Sequence, residues 1–349
     1  MLRRDIPRIG VPDFQAKSLI GETQHISRDS WSLCVAPMMA WTNRHCRFLH
    51  RLASPGARLF TEMISTGALL FGPAERLLAH SPEEQPLVVQ LGGAQPEDVA
   101  RAARLAVDAG FAEVNLNVGC PSSRVQQASF GAALMRKPEL VASCVAAMMD
   151  TVDVPVTVKC RLGVDNDDSD VLLAAFIGRV AESGCKRFYV HARKAILGGL
   201  SPAQNRKVPP LQPERVYKLK SRFPDLNIVI NGGINDVDTA LEHLRHVDGV
   251  MIGRSAYQDP NFLIELSERI FGEPRRSPFD IMEDYLVYMD AELDEGTRLS
   301  EMTRHTLGLF NGMRGARRYR RCLSDATRLK QNNSDLVREA LQSLRARAA

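Results

Sequence analysis

The sequence predicts an α/β fold: a closed (β/α)8 or TIM barrel followed by a smaller all-helical C-terminal domain. Three observations carry that expectation. Short runs rich in apolar and β-branched residues recur at intervals of roughly 25 to 35 residues between Trp31 and Gly272. Stretches between several of these runs read as helices, and beyond about Pro274 the strand signal stops while helical patterns continue. Near-continuous apolar strands alternating with helices require a parallel sheet covered on its outer face, and at a strand count of eight closure is favoured over an open doubly wound sheet.

The predicted strands are Leu33 to Met38, Arg58 to Met63, Leu87 to Leu91, Glu113 to Val118, Pro155 to Arg161, Arg187 to Arg193, Asn227 to Asn231 and Val250 to Arg254. Between them, Pro96 to Ala109 opens on Pro-Glu-Asp and stops at Gly110, which suits a helix with an acidic first turn and a glycine terminus. Asp170 to Ser183 ends at Gly184 in the same way, and Asp236 to Leu244 follows a glycine-rich turn. Phe279 to Asp294 and Ser334 to Ala346 supply helices to the tail. The domain expectation is therefore a flexible extension over residues 1–30, a barrel over 31–273 and a helical domain over 274–349.

Composition narrows the class. Among 349 residues, 44% are hydrophobic and 25% charged, an ordinary soluble composition, and no apolar run is long enough to span a membrane. The seven cysteines are odd in number, scattered and never in a Cys-x-x-Cys pair, so a disulfide framework, zinc ribbon or iron–sulfur cluster is not expected. A reducing, cytoplasmic compartment and no metal site follow as expectations. Arg3, Arg4 and Arg8 are interrupted by acidic residues and lead into no apolar segment, so the extension is not read as a secretory signal; an organellar transit peptide is the alternative. The net charge of +4 decides nothing about nucleic acid, but its distribution does. Arg314, Arg317, Arg318, Arg320 and Arg321 fall close together with no acidic residue among them. A solvated helix face is the plainer reading of such a run; a footprint for phosphates is the functional one.

Active sites of barrels lie where strands end at their C-terminal side. There the sequence places Gln90, Asn117, Lys159 and His191, four polar groups that would converge on one mouth. Strands seven and eight end instead in Asn231-Gly232-Gly233 and Gly253-Arg254, where glycines admit an anion close to backbone N–H groups. A phosphate-bearing cofactor with an aromatic head fits this pattern, and Lys159 suggests a flavin whose anionic reduced form a cation would stabilise. No Gly-x-Gly-x-x-Gly fingerprint points to a tightly held nicotinamide.

The motifs Ala36-Pro37-Met38, Thr61-Glu62-Met63, Asn115 to Ser122, His191-Ala192-Arg193-Lys194, Asn231 to Ile234 and Asp248 to Arg254 together resemble the tRNA-dihydrouridine synthases, from about residue 33 to about 325. Gly198 to Pro202, Asn205-Arg206, Pro209 to Leu211, Arg304-His305, Gly308 to Phe310 and Gly315 to Arg317 are similar to the A subfamily, which modifies uridines 20 and 20a of the tRNA D-loop. The resemblance implies reduction of uridine to 5,6-dihydrouridine by an FMN-dependent oxidoreductase acting on a CH–CH bond. By the same resemblance, hydride would pass from reduced flavin N5 to C6 and a proton from Cys120 to C5, with NADPH or NADH re-reducing the flavin. It further implies flavin contacts at Ala36, Pro37, Met38, Gln90, Lys159, His191, Asn231, Gly232, Gly233, Gly253 and Arg254, and tRNA contacts at Asn117, Arg206, Arg317 and Arg320. A monomer working on tRNA is expected. For Cys120 to act as an acid its thiol must stay protonated, so a strongly electropositive pocket is not expected around it. Ala40 and Ala203 depart from the family pattern, where an acidic residue and a subfamily lysine are frequent; the second removes one phosphate or base contact.

Two other readings use the same residues. A small-molecule flavin oxidoreductase of the dihydropyrimidine or dihydroorotate type would run related chemistry but has no use for Arg314 to Arg321. A non-catalytic tRNA-binding protein would have no use for Cys120, Lys159 and His191.

Overall fold

The computed structural model describes residues 29–348; of the expected N-terminal extension only the last two residues fall within that range. Eight parallel strands close into a barrel in chain order: β1 Leu33–Val35, β2 Arg58–Ser65, β3 Leu87–Gly92, β4 Glu113–Val118, β5 Val156–Arg161, β6 Arg187–His191, β7 Asn227–Asn231 and β8 Gly249–Ile252. The seam is made where Leu33, Cys34 and Val35 pair with Val250, Met251 and Ile252. Proline occupies the first turn of the helices Pro96–Asp108, Pro138–Met149, Pro213–Arg222, Pro260–Phe271 and Pro278–Asp294, where its missing N–H has no intrahelical partner to lose. Gly272, at φ 70°, ends the helix Pro260–Phe271 in the left-handed conformation and closes the barrel.

Strand alternation sorts the side chains. Val89, Leu116, Val158 and Ile230 turn outward into a continuous apolar layer beneath the helices. Inside, Cys34, Ala36, Phe60, Val88, Tyr189, Val229 and Met251 form an apolar plug, with Trp31 packed against it. The floor is charged: Arg58 and Arg187 each place a guanidinium nitrogen 2.7 Å from Glu113 Oε2, and the Arg187 guanidinium lies over the Trp31 ring at 4.0 Å. The interior is thus a packed core with polar ends, and its upper end carries the site.

Three predicted strands run past the observed ends. β1, β6 and β8 stop at Val35, His191 and Ile252, because the residues beyond them leave the ladder to build the mouth. After β1 the Ala36 N–H still reaches Ile252 O at 2.8 Å, but Met38 bonds the Thr42 hydroxyl and Ala40 adopts φ 62°.

The C-terminal part is helical and shares the barrel's outer apolar cluster. Its helix Pro278–Asp294 packs on the barrel helix Arg44–Ala53: Phe48 stacks on Tyr288 at 3.9 Å, the Tyr285 hydroxyl donates to His45 O at 3.0 Å, and Arg44 pairs with Glu292 at 2.6 Å. Each large side chain buried this way contributes about 1.5 to 3 kcal/mol, so the tail is firmly seated. Arg304 carries it to the barrel mouth by donating to Ala40 O at 2.6 Å. Among the described residues no helix is long and apolar enough to cross a membrane.

Candidate active site

A cavity of about 480 Å3 opens over the C-terminal ends of the strands, within the usual size range for small-molecule sites. Fourteen of the sixteen residues singled out in the sequence line it. Ala36, Pro37 and Met38 follow β1, Gln90 ends β3, Asn117 and Cys120 come from β4, and Lys159 from β5. His191 and Arg206 follow from β6 and its loop, then Asn231, Gly232 and Gly233 from β7, and Gly253 and Arg254 from β8. Register brings them together: Asn117 pairs with Lys159 and His191 with Asn231 across adjacent strands.

The loop bearing Cys120 is held from both sides. Asn117 Oδ1 accepts the Gly119 and Cys120 backbone N–H groups at 3.1 and 2.9 Å. Arg161 Nε donates to Gly119 O at 2.9 Å, and the Ala132 N–H bonds Cys120 O at 2.9 Å. Gly131, at φ 74°, permits that last approach, since a Cβ there would stand 2.6 Å from Cys120 O. Contrary to expectation, the thiol has cations around it: Arg161, Arg206 and Lys159, together with the Ser122 N–H, favour the thiolate. Burial outweighs them and raises the pKa above its ordinary 9.0. The thiol is protonated at neutral pH for a different reason from the one anticipated: it is desolvated, not remote from positive charge.

The other titratable groups come from β5 and β6 at the same mouth. Lys159 Nζ donates to Asn231 Oδ1 at 3.0 Å, and burial, with the Arg161 charge, lowers its pKa from 10.5 to about 8. Asn231 Nδ2 donates to Met251 O at 2.7 Å, so both ends of that amide serve to orient Lys159. His191 is buried, its pKa is lowered well below 6.5 by desolvation and by Arg161 and Lys159, and its Nδ1 has no hydrogen-bond partner. Gly232 and Gly233 have φ 109° and 75°, and a Cβ on Gly233 would collide with Leu211.

Arg317 and Arg320 do not line the cavity. They lie on the helix Ala316–Cys322, anchored by Tyr319, whose ring is buried against Phe310 and whose hydroxyl donates to Thr306 Oγ1 at 3.0 Å. Arg320 donates to Asn311 Oδ1 at 2.8 Å, while Arg314, Arg317, Arg318 and Arg321 are exposed. Among the described residues none of these five arginines makes an ion pair, unlike Arg328, Arg338 and Arg345 nearby, which pair with Glu339, Asp290 and Glu283.

Sequence reasoning left out three features of the mouth. Arg161 is buried and donates to the backbone carbonyls of Gly119, Lys194 and Asn205, tying the cysteine loop to the segment that carries Arg206. Trp41 stacks on Tyr257 at 4.4 Å on the cavity rim. Ala40, in its left-handed conformation, donates to Glu62 and accepts from Arg304. A second cation two residues after Lys159 was a readable signal for the first, and Ala40 stood out only as a departure from the family pattern; nothing in the sequence marks the stacking of Trp41 on Tyr257.

A sequence model of the family described as dihydrouridine synthase (Dus) matches residues 34–345. The tRNA-dihydrouridine(20/20a) synthase of Vibrio cholerae is 49% identical over 318 residues, covering 90% of this chain and 97% of that protein. The enzyme of the same name from Xanthomonas campestris is 50% identical over 314 residues, covering 90% and 94%, and that from Shewanella oneidensis 48% identical over 330 residues, covering 94% and 97%. Among solved structures, a 2-naphthoyl-CoA reductase complex superimposes with a TM-score of 0.54 at 11% identity over 70% of this chain and 50% of that one, a likeness of fold alone. A match that spans barrel and helical tail alike, at about half identity to full-length relatives, settles the assignment: this chain belongs to the dihydrouridine synthase family of enzymes.

Proposed function

We propose that the protein reduces uridine to 5,6-dihydrouridine at positions 20 and 20a of the tRNA D-loop, with bound FMN re-reduced by NADPH or NADH. The observation that carries this reading is the half-buried thiol of Cys120, its pKa raised by burial, in one cavity with Lys159, His191 and the glycine turns after β7 and β8. The cavity suits a flavin mononucleotide on its own terms. The buried His191 Nδ1 lacks a partner, Lys159 is a desolvated cation, and Gly232, Gly233 and Gly253 line the cavity with Arg254. Gly232, Gly233, Gly253, Arg254 and His191 would hold the phosphate, while Ala36 to Met38, Gln90 and Lys159, with Asn231 orienting it, would hold the ring system. Bound there, reduced flavin supplies a hydride to C6 of uracil.

The chain's own groups do the rest. The Cys120 S–H bond breaks, its proton forms the new bond at C5, and the electron pair left on sulfur makes a thiolate. Desolvation keeps the proton on Cys120 until it is needed; Arg161, Arg206 and Lys159 then stabilise the thiolate until solvent returns a proton. Asn117 and Arg206 would contact the tRNA at the mouth. Arg317 and Arg320 would grip its phosphates, with the folded shape of tRNA setting the register and the target base leaving its stack to reach the cavity. On this reading residues 31–273 are the catalytic unit and 274–349 the tRNA-binding unit of a cytoplasmic monomer, and the chemistry requires no metal ion. Its test is a deletion strain: dihydrouridine at 20 and 20a should vanish from the tRNA pool and return on complementation. Unchanged modification in a strain with no other synthase for these positions would refute it.

A further inference from the structure

A single file of hydrogen bonds runs through the barrel interior from its floor to the cysteine loop. At the floor, Glu113 Oε1 accepts from the Thr157 hydroxyl at 2.8 Å. Thr157 Oγ1 accepts from Asn115 Nδ2 at 2.9 Å, Asn115 Oδ1 accepts from Gln90 Nε2 at 2.8 Å, and Gln90 Oε1 accepts from Asn117 Nδ2 at 2.8 Å. The file ends where Asn117 Oδ1 accepts the N–H groups of Gly119 and Cys120. It crosses β3, β4 and β5, every side chain in it is buried, and Glu113 to Asn117 spans about 13 Å of strand.

The direction of this file is locked at both ends. Glu113, clamped by Arg58 and Arg187, can only accept; two backbone N–H groups can only donate. Turning any one amide over would set donor against donor or acceptor against acceptor in a buried, low-dielectric interior, where an unpaired polar group is costly. Gln90 and Asn117, both of which line the cavity, are therefore fixed with their amide nitrogens as donors within the file.

We propose that Thr157 and Asn115, neither of which touches the cavity, are positioning residues: they transmit the polarity of Glu113 to Asn117 and so hold the Cys120 backbone in place for proton delivery. This rests on the functional reading above. Were the file merely satisfied polar core, its lower half could be cut without consequence for the cysteine loop beyond a general loss of stability.

The test uses Thr157→Val, which keeps the shape and removes the hydroxyl, with Thr157→Ser as the conservative control, both in flavin-loaded full-length protein. Hydrogen exchange at the Gly119 and Cys120 amides should quicken about tenfold in the valine variant and stay within about twofold in the serine one. The kcat for tRNA uridine reduction should fall about tenfold with KM within about twofold, as a positioning defect requires. In an Asn117→Ala background, where the cap is already gone, Thr157→Val should change either quantity by less than about twofold. Unchanged amide exchange, or the same fold-change in both backgrounds, would overturn the proposal. Asn115→Ala, cutting the file one link higher, answers the same question should the valine variant not fold. If the wild-type protein made no dihydrouridine, the functional reading would fall while amide exchange still decided the relay.

Discussion

On the proposed reading, Lys159 would make flavin binding sensitive to pH in a direction that can be worked out beforehand. Its ammonium is set into the cavity wall, and burial, with the Arg161 charge, brings its pKa from 10.5 to about 8. An anionic ligand beside it favours the charged form and moves that pKa back up. For a base whose pKa is low when free and higher when liganded, binding takes up a proton above the lower value, so affinity is highest below pH 8 and falls as pH rises through it. If the bound form returns to the ordinary value, flavin should bind about tenfold more weakly at about pH 9 than at about pH 7, since each unit above the free pKa costs a factor of ten. The assay is titration of FMN into flavin-free protein by fluorescence quenching, below the pH at which the flavin ring itself ionises. Lys159→Met should bind more weakly at every pH and lose the slope. An affinity that is flat across this range in the wild-type protein, or a slope retained by the methionine variant, would refute the assignment of Lys159 to the flavin.

Other outcomes follow from single contacts. Cys120→Ala should hold FMN and oxidise NADPH normally while losing on the order of a hundredfold or more in dihydrouridine formation, measured in single turnover; full activity would remove Cys120 as the acid. Glu113→Ala leaves two guanidinium groups buried without their carboxylate and should lower stability by about 3 to 5 kcal/mol in a denaturant melt; a change below about 1 kcal/mol would contradict the floor described above. Gly233→Ala places a side chain at positive φ against Leu211 and should weaken flavin retention through purification, which absorbance reports directly. Replacing Arg317, Arg318, Arg320 and Arg321 by alanine should weaken tRNA binding and flatten its salt dependence, while NADPH oxidation without tRNA is unchanged; an unaltered salt slope would show that these side chains meet no phosphates.

The barrel was legible because each strand is a short apolar run between turn residues, and the cavity because strand order maps polar strand ends onto one mouth. That Gln90, Lys159, His191 and Gly253 converge followed from counting strands, without knowledge of any contact. What escaped are relations between residues far apart in the chain. The alternation Glu113, Asn115, Asn117 was visible as a polar face on an otherwise apolar strand, but its partners Thr157 and Gln90 come from the neighbouring strands and depend on register. The cations around Cys120 illustrate the same limit: Arg161 reaches the cysteine loop from the neighbouring strand through Gly119 O and also bonds Asn205 O in the segment carrying Arg206. Short helices such as Leu299–Thr303 and Ala326–Leu329 escaped too, since a single turn leaves too few residues to show a period.

The central claim is that Cys120 delivers a proton to a uridine of the tRNA D-loop within this cavity. Its most direct test is site-resolved mapping of dihydrouridine in unmodified tRNA incubated with the flavin-loaded protein and NADPH, in parallel with Cys120→Ala. Dihydrouridine at 20 and 20a with the wild-type protein, and almost none with a variant that still oxidises NADPH, is the predicted result. Equal modification by both proteins, or none at these positions by the wild type, would contradict it.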